Sequence, residues 1–206
     1  MKLKRTNTCG ELGKKEIGKE VAINGWVNSS RDHGGIIFVD LRDKYGLTQV
    51  VFDPEDSKKS HKEAGALRRE DVIAVKGKVR ARGEGLENPN LKTGEIEILA
   101  DEIEVLSRAE TPPIDIDDRI DPSEELRLKY RYLDLRRPKM QNRLVIRHNA
   151  AQAARSYLNK NHFLEIETPM LVRATPEGAR DYIVPSRVNP GKFYALPQSP
   201  QIYKQI

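Results

Sequence analysis

The chain has 206 residues, of which 37% are hydrophobic and 33% charged, and its formal net charge is +5 at pH 7. No stretch approaches the roughly 18 consecutive apolar residues of a membrane-spanning helix, so the sequence predicts no membrane association and a cytoplasmic protein. The single cysteine, Cys9, excludes an internal disulfide and a cysteine-based metal site, and we expect it to be a small buried residue. The basic balance is compatible with a polyanionic partner.

The first hundred residues are rich in β-branched and aromatic residues, and Gly, Asn and Pro turn signals interrupt them. Trp26 is expected to pack inside the structure that these residues form. Five strands in this order, with one helix between the third and fourth, are typical of the OB-fold, a small Greek-key barrel. The order alone leaves open another small barrel or a sandwich. The predicted strands are 20–30, 36–43, 47–52, 72–81 and 94–106, and the predicted helix is 57–70.

A change of composition follows the last of these strands. Residues 107–125 contain three prolines and many acids, which indicates a linker or hinge with little core of its own. Basic residues then crowd positions 127–148, where either a solvated helical face or a phosphate-facing surface would explain them. We therefore predict a barrel domain over 1–106, a hinge over 107–137 and a second domain over 138–206.

The second domain begins with helical periodicity over 138–161, with Pro138 in the first turn and Asn161 as the cap. A strand, "FLEIETPMLV", is predicted over 163–172, and the charged loop "TPEGARDY" follows it. The last residues, "QIYKQI", have the character of a helix start. An ending on an apolar residue inside that helix suggests truncation of a larger protein, and a natural terminus is the alternative.

Five segments in collinear order carry a family resemblance: "RDHGGIIFVDLRD", "RLKYRYLDLRRP", "NHFLEIETPML", "TPEGARDY" and "YALPQSPQIYKQ". Together they resemble bacterial-type aspartyl-tRNA synthetase from Cys9 onwards. The resemblance implies an anticodon-binding OB-fold followed by the start of an α+β class II catalytic domain, an antiparallel sheet with helices. It implies a homodimeric aspartate–tRNA ligase that forms aspartyl-adenylate from L-aspartate and ATP with Mg²⁺. The aspartyl group then passes to the 3′ end of tRNA(Asp).

The resemblance also implies roles for residues of the second domain. Glu177, in a closing loop, contacts the ammonium of L-aspartate, and Ser199 and Gln201 add polar contacts. Lys204 faces the substrate carboxylate as a buried cation. The alternatives are a solvent-facing loop acid for Glu177 and an ordinary helix surface for Gln201 and Lys204. Pro169 is the centre of the first class II signature, which forms the dimer interface.

The family usually has Gly where this chain has His162. Helix ends often need a residue in the left-handed conformation, which Gly adopts most easily and Asn next. We therefore expect Asn161 to take that conformation and to shift the cap by one position.

Phe38 is a candidate for stacking on a nucleic-acid base. Alternation in "IIFVDL" places it on one face with Ile36 and Asp40 rather than with Ile37 and Val39. A polar Asp40 favours an exposed face, although periodicity alone would also permit a core position.

The resemblance assigns anticodon binding to Phe38 together with Gln49, which can pair with a base edge, and Arg31, which can meet a phosphate or a base plane. Glu97 and Asn88 complete this set.

In the same family, a His after "RD" and a small Gly in "RGEG" tend to accompany enzymes that charge both tRNA(Asp) and tRNA(Asn). His33 and Gly85 match that pattern, and the alternative is that both are ordinary turn residues.

Other functions remain open from the sequence. Asparaginyl- and lysyl-tRNA synthetases share this architecture, and the loop "TPEGARDY" favours aspartate over them. A stand-alone, non-catalytic nucleic-acid-binding OB-fold module is a further alternative. The chain has no Gly-rich phosphate loop and none of the class II arginines that hold ATP. We therefore predict no catalytic residue and no metal ligand, and expect the 206 residues alone to bind tRNA weakly without catalysis.

Overall fold

A computed structural model describes residues 2–174 and 180–206. The chain divides into two compact units, Met1–Asp134 and Leu135–Ile206. In the described part, no helix is long and apolar enough to cross a membrane. The predicted limits of the three-part division, at 106 and 137, stay a prediction.

The first unit is built on a closed five-stranded barrel in the order β1-β2-β3-β5-β4, and β4 pairs back to β1. All neighbouring strands are antiparallel except β3 and β5. This confirms the predicted barrel, with its helix between the third and fourth strands, over the sandwich. The elements are β1 (Glu20–His33), β2 (Ile36–Arg42), β3 (Leu47–Phe52), α1 (Lys58–Ala64), β4 (Val72–Ala81) and β5 (Ile96–Ser107), preceded by a 3₁₀ turn over Lys14–Glu16.

Helix α1 is shorter than predicted because its caps enclose only seven residues. The Ser57 hydroxyl accepts a hydrogen bond from the Ser60 amide, and Gly65 is the C-cap. The predicted helical stretch 66–70 is a turn that leads into β4.

The barrel core consists of alternate residues of the strands. Cys9 is fully buried in it, as expected. The expectation for Trp26 is wrong, because Ile23 and Val27 point into the core and Trp26 lies on the opposite, half-buried face of β1.

The segment after β5 has more structure than predicted, since Ile114, Ile116 and Leu133 form a small buried cluster of their own. It contains α2 (Glu124–Lys129) and α3 (Arg131–Asp134). The expectation of a linker with little core over 107–125 stays a prediction, because only Ile114 and Ile116 of this cluster lie in that span.

The second unit contains α4 (Pro138–Lys160), the antiparallel pair β6 (Tyr182–Pro185) and β7 (Phe193–Leu196), and α5 (Gln201–Gln205). The long helix is confirmed, with Asn161 as its C-cap. The expectation for the left-handed residue is wrong: Asn161 has φ −95° and His162 has φ +67°. The Asn161 side chain instead donates to the Tyr157 carbonyl over 2.8 Å, which holds it in the cap.

The predicted strand 163–172 is wrong for this structure. Within this segment, Val172 alone pairs with a described residue of another strand, through two backbone hydrogen bonds of 3.0 and 2.7 Å with Ala195. Within the described part of the chain, residues 163–171 form no strand pairing, and alternation in sequence cannot supply a partner strand.

Candidate nucleic-acid interface and amino-acid site

The outer face of the barrel presents Phe38 as predicted. Ile37 and Val39 are buried, whereas Phe38 and Asp40 are half-buried on the other face of β2. Cross-strand pairing places Arg31 opposite Phe38 and Gln49 opposite Asp40. Directly opposite residues on antiparallel strands have Cβ atoms about 5 Å apart. The register therefore brings three of the five predicted anticodon residues onto one face of the sheet, where Gln49 is 8% exposed.

A chain of hydrogen bonds links the polar residues of this face. Asp40 Oδ2 accepts from the Ser29 hydroxyl at 2.6 Å and from Arg31 Nη2 at 3.2 Å. Gln49 Oε1 lies 3.5 Å from the same guanidinium nitrogen, and Gln49 Nε2 donates to Glu97 Oε2 at 2.9 Å. Glu97 thus joins the predicted surface, and these contacts fix the side chains in advance of any ligand.

Arg80 completes the network, although sequence reasoning missed it. Its Nε donates to Glu97 Oε1 at 2.8 Å, so each carboxylate oxygen of the nearly buried Glu97 has a donor. Arg80 is paired with Glu97 across β4 and β5. The alternation in "VRAR" is the sequence pattern that could have placed Arg80 on the outer face of β4.

Arg82 is a second residue that sequence reasoning missed. It is 9% exposed, its Nε donates to the Ile96 carbonyl at 3.1 Å, and its buried Nη2 has no partner among the described residues. Burial lowers the pKa of its guanidinium, while Glu97 and Asp40 act in the opposite direction. An unsatisfied buried donor costs about 1–3 kcal/mol, so the position of Arg82 is destabilising by itself.

Asn88 lies in the β4–β5 connection, where its side chain serves the loop itself. Asn88 Oδ1 accepts from the Asn90 amide, and its backbone amide donates to the Gly94 carbonyl, each at 3.0 Å. Gly85 in the same connection has φ +76°, a conformation that favours glycine. The base-reading role of Asn88 stays a prediction.

His33 is exposed at the end of β1, directly before the Gly34–Gly35 turn. Its side chain has no hydrogen bond within the described ranges and is open to a ligand. Its proposed part in tRNA discrimination stays a prediction.

The predicted aspartate site is represented only in part. Glu177 lies outside the described residues. Ser199 is half-buried before α5, and Gln201 and Lys204 are exposed on that helix. The Lys204 amide donates to the Pro200 carbonyl at 3.0 Å, as in an ordinary first turn. The expected burial of Lys204 is wrong here, because no described element covers this face of α5.

The second unit exposes an unusual number of large apolar side chains. Pro169 is itself exposed within 163–171. A groove of about 660 Å³ lies between α4 and residues 163–165, and an Arg155–Glu165 ion pair of 2.8 Å borders it. The exposed residues include Leu144, Ile146, Tyr157, Leu158, Phe163, Leu164, Ile166 and Met170.

Metal binding finds no support in these residues. Across 2–174 and 180–206, no group of three or more His, Cys, Asp or Glu side chains is placed to hold an ion.

Comparisons with known proteins find similarity for both parts of the chain. Residues 21–106 match the family model described as OB-fold nucleic acid binding domain, and residues 123–206 match tRNA synthetases class II (D, K and N). The chain is 58% identical to Aspartate–tRNA(Asp/Asn) ligase of Oleidesulfovibrio alaskensis and 60% identical to that of Desulfotalea psychrophila. These matches cover 98% and 99% of the chain but 33% and 34% of the relatives, so the chain spans about a third of their length.

A solved structure of a tRNA synthetase has the same fold. Asparaginyl-tRNA synthetase from Pyrococcus horikoshii, in complex with asparaginyl-adenylate, superposes with a TM-score of 0.81 at 28% identity. The match covers 97% of this chain and 44% of that one. The resemblance to the N-terminal portion of aspartyl-tRNA synthetases, and the fold that it implied, are confirmed.

Proposed function

We propose that this chain provides the anticodon-binding part and the start of the catalytic part of an aspartate–tRNA ligase. The premise is that one part matches an OB-fold nucleic acid binding domain and the other matches class II tRNA synthetases. The observation that carries the proposal is the outer face of the barrel, where Phe38 is accessible beside a fixed network of charged and amide groups. The match over 123–206 favours a ligase over a stand-alone OB-fold module.

Anticodon recognition follows from the chemistry of this face. Phe38 offers a ring on which an unstacked base can stack, a contact worth about 1–3 kcal/mol per base. Gln49 and Glu97 present amide and carboxylate groups to base edges, and Arg31 lies beside them for a phosphate or a base plane.

Two tRNA substrates are proposed, tRNA(Asp) and tRNA(Asn). The names of the relatives specify both, and His33 and Gly85 carry the sequence pattern that we associate with this dual use. His33 is exposed at a hairpin turn, where a docked loop can reach it.

The proposed reaction uses ATP to join L-aspartate to tRNA, in the cytoplasm. The aspartate α-carboxylate attacks the α-phosphorus of ATP, which releases pyrophosphate and gives aspartyl-adenylate. A terminal hydroxyl of tRNA then attacks the carbonyl carbon of aspartyl-adenylate and displaces AMP. Glu177, Ser199, Gln201 and Lys204 are the proposed contacts for L-aspartate. Mg²⁺ enters as a family expectation only, and no step is assigned to it.

A homodimer is proposed for the intact protein. The apolar side chains exposed on α4 and on 163–171, around Pro169, are more than isolated surface residues. Burial against a second copy would remove them from water.

The ligase proposal is tested with the polypeptide encoded by the whole reading frame. We expect pyrophosphate exchange that depends on aspartate but not on asparagine or lysine, and aspartylation of both tRNAs. Lys204→Met should abolish aspartate-dependent exchange, because the carboxylate loses its cation, whereas the exposed Lys192→Met should not change it. Exchange with lysine or asparagine instead of aspartate would contradict the proposal.

A further inference from the structure

Gly34 and Gly35 form the exposed β1–β2 turn. Gly34 and Gly35 have φ of +63° and +85°, and a Cβ on either would meet no atom within 4 Å. Within the hairpin, Asp32 Oδ1 accepts from the Gly35 amide at 3.0 Å. His33 is the last residue of β1 before this turn. Glycine loses more conformational freedom on ordering than any other residue, so a turn of this kind depends on its tethers.

One side chain from another element reaches this turn in the part of the chain that the structure describes. His61 Nε2 of α1 lies 2.8 Å from the Gly35 carbonyl oxygen. A carbonyl only accepts, so His61 Nε2 carries the hydrogen of this contact in both the neutral and the protonated ring.

The helix that carries His61 is itself fixed to the barrel. Ser60, which is 3% exposed, donates its hydroxyl to the Asp101 carbonyl of β5 at 2.7 Å. Ala64 is buried, and Ser57 caps the first turn. His61 therefore links the turn to a rigid support rather than to another loop.

We propose that His61 is a positioning residue for RNA recognition: it holds the Gly34–Gly35 turn and so sets the direction in which His33 meets an anticodon loop. The inference rests on the proposed role of His33 in choosing between two tRNAs. His61 itself need not touch RNA. Without this tether, the turn samples more conformations and the contact of His33 loses orientation.

A matched pair of substitutions tests the tether in the 206-residue chain. His61→Gln keeps an amide donor near the position of Nε2, whereas His61→Asn places its amide near Nδ1 and cannot reach Gly35. The measurements are the ratio of affinities for RNA hairpins with the anticodon loops of tRNA(Asp) and tRNA(Asn), by fluorescence anisotropy, and ¹⁵N relaxation of Gly34 and Gly35. Lys62→Ala, on the exposed side of α1, is the control.

We expect His61→Asn to shift the affinity ratio in the same direction as His33→Ala, by about two- to tenfold, the range set by one hydrogen bond. It should also increase the motion of Gly35. His61→Gln should stay near wild type in both measurements, and Lys62→Ala should leave the ratio unchanged. In a His33→Ala background, His61→Asn should add no further shift.

The outcomes separate this inference from the proposed function. If His33→Ala changes the ratio but His61→Asn changes neither the ratio nor the turn, the positioning role is wrong. If His33→Ala has no effect, the discrimination assigned to His33 fails, and Gly35 relaxation still decides whether the tether exists. An equal effect of His61→Gln and His61→Asn would also overturn the inference.

Discussion

Replacing Asp71 with asparagine tests how the barrel holds the segment that follows it. The carboxylate of Asp71 is fully buried and accepts three hydrogen bonds, from the Arg68 amide (3.0 Å), the Ala109 amide (2.8 Å) and Arg108 Nη1 (2.8 Å). Asp71→Asn removes the charge and turns one acceptor into an NH₂ group that faces a donor.

The magnitude follows from these contacts. Hydrogen bonds to a charged group contribute about 1.5–3 kcal/mol each, and a mismatched buried donor adds a desolvation cost of similar size. The Arg108 side chain is half exposed, so water compensates for its lost partner and its share is discounted. We expect a loss of about 2–3 kcal/mol, which at a urea slope of about 2 kcal/mol per M lowers the unfolding midpoint by about 1–1.5 M.

The assay is urea unfolding followed by the fluorescence of Trp26, the only tryptophan of the chain. Trp26 pairs with Val72, next to Asp71, so it reports on this part of the barrel. Asp56→Asn, an exposed change of equal charge, is the control and should leave the midpoint unchanged. A midpoint for Asp71→Asn within 0.2 M of wild type (about 0.4 kcal/mol at that slope) would refute the reasoning.

The stability of the wild-type protein and that of Asp71→Asn should depend differently on pH. Burial would raise the pKa of Asp71, but the three hydrogen bonds outweigh it and hold the pKa below its ordinary value of 3.8. The stability that the carboxylate contributes is therefore fully present above that value and is lost as the pH falls through the lower folded pKa. Wild type and Asp71→Asn should become similar only in strongly acidic solution, and an equal difference at pH 7 and pH 2 would contradict this.

Three further predictions concern single residues. Gly94→Ala should disorder the β4–β5 connection, seen as protease sensitivity, because the added Cβ would lie 1.8 Å from the Asn88 carbonyl oxygen; an unchanged cleavage pattern would contradict it. Cys9 should resist a thiol reagent at pH 8 until urea unfolds the barrel, because burial raises the pKa of its thiol; rapid native labelling would contradict it. Asp117 should titrate with a pKa of about 2 by carboxyl ¹³C NMR, because the Arg119 side chain donates a hydrogen bond to its carboxylate. Arg119→Gln should move this pKa toward 3.8, and an unchanged pKa would rule out Arg119 as the cause.

The barrel could be predicted from the sequence because its signals are local. Alternation fixed which face of β2 carries Phe38, and turn residues marked the strand ends. The limits of β3 and β4 agree with the predicted 47–52 and 72–81. The same alternation should have moved Trp26 out of the core, since Val27 beside it is buried.

The features that sequence did not reveal depend on partners distant in the chain. Arg80 joins the recognition surface only because β4 pairs with β5 in the register that places it opposite Glu97. Arg82 becomes notable only through its burial without a partner for Nη2 in the described residues. The predicted strand over 163–172 has suitable residues, but a strand also needs a neighbour, and here only Val172 has one.

The most direct test of the central claim measures binding of the 206-residue chain to an RNA hairpin that carries the anticodon loop of tRNA(Asp), with a scrambled loop as reference. We predict preference for the anticodon loop, and loss of that preference by about 5- to 150-fold in affinity for Phe38→Ala, since stacking contributes about 1–3 kcal/mol per base. Tyr45→Ala, which removes an exposed aromatic ring at the other end of β2, should bind as wild type. Equal affinity of wild type and Phe38→Ala for the anticodon loop would contradict the account.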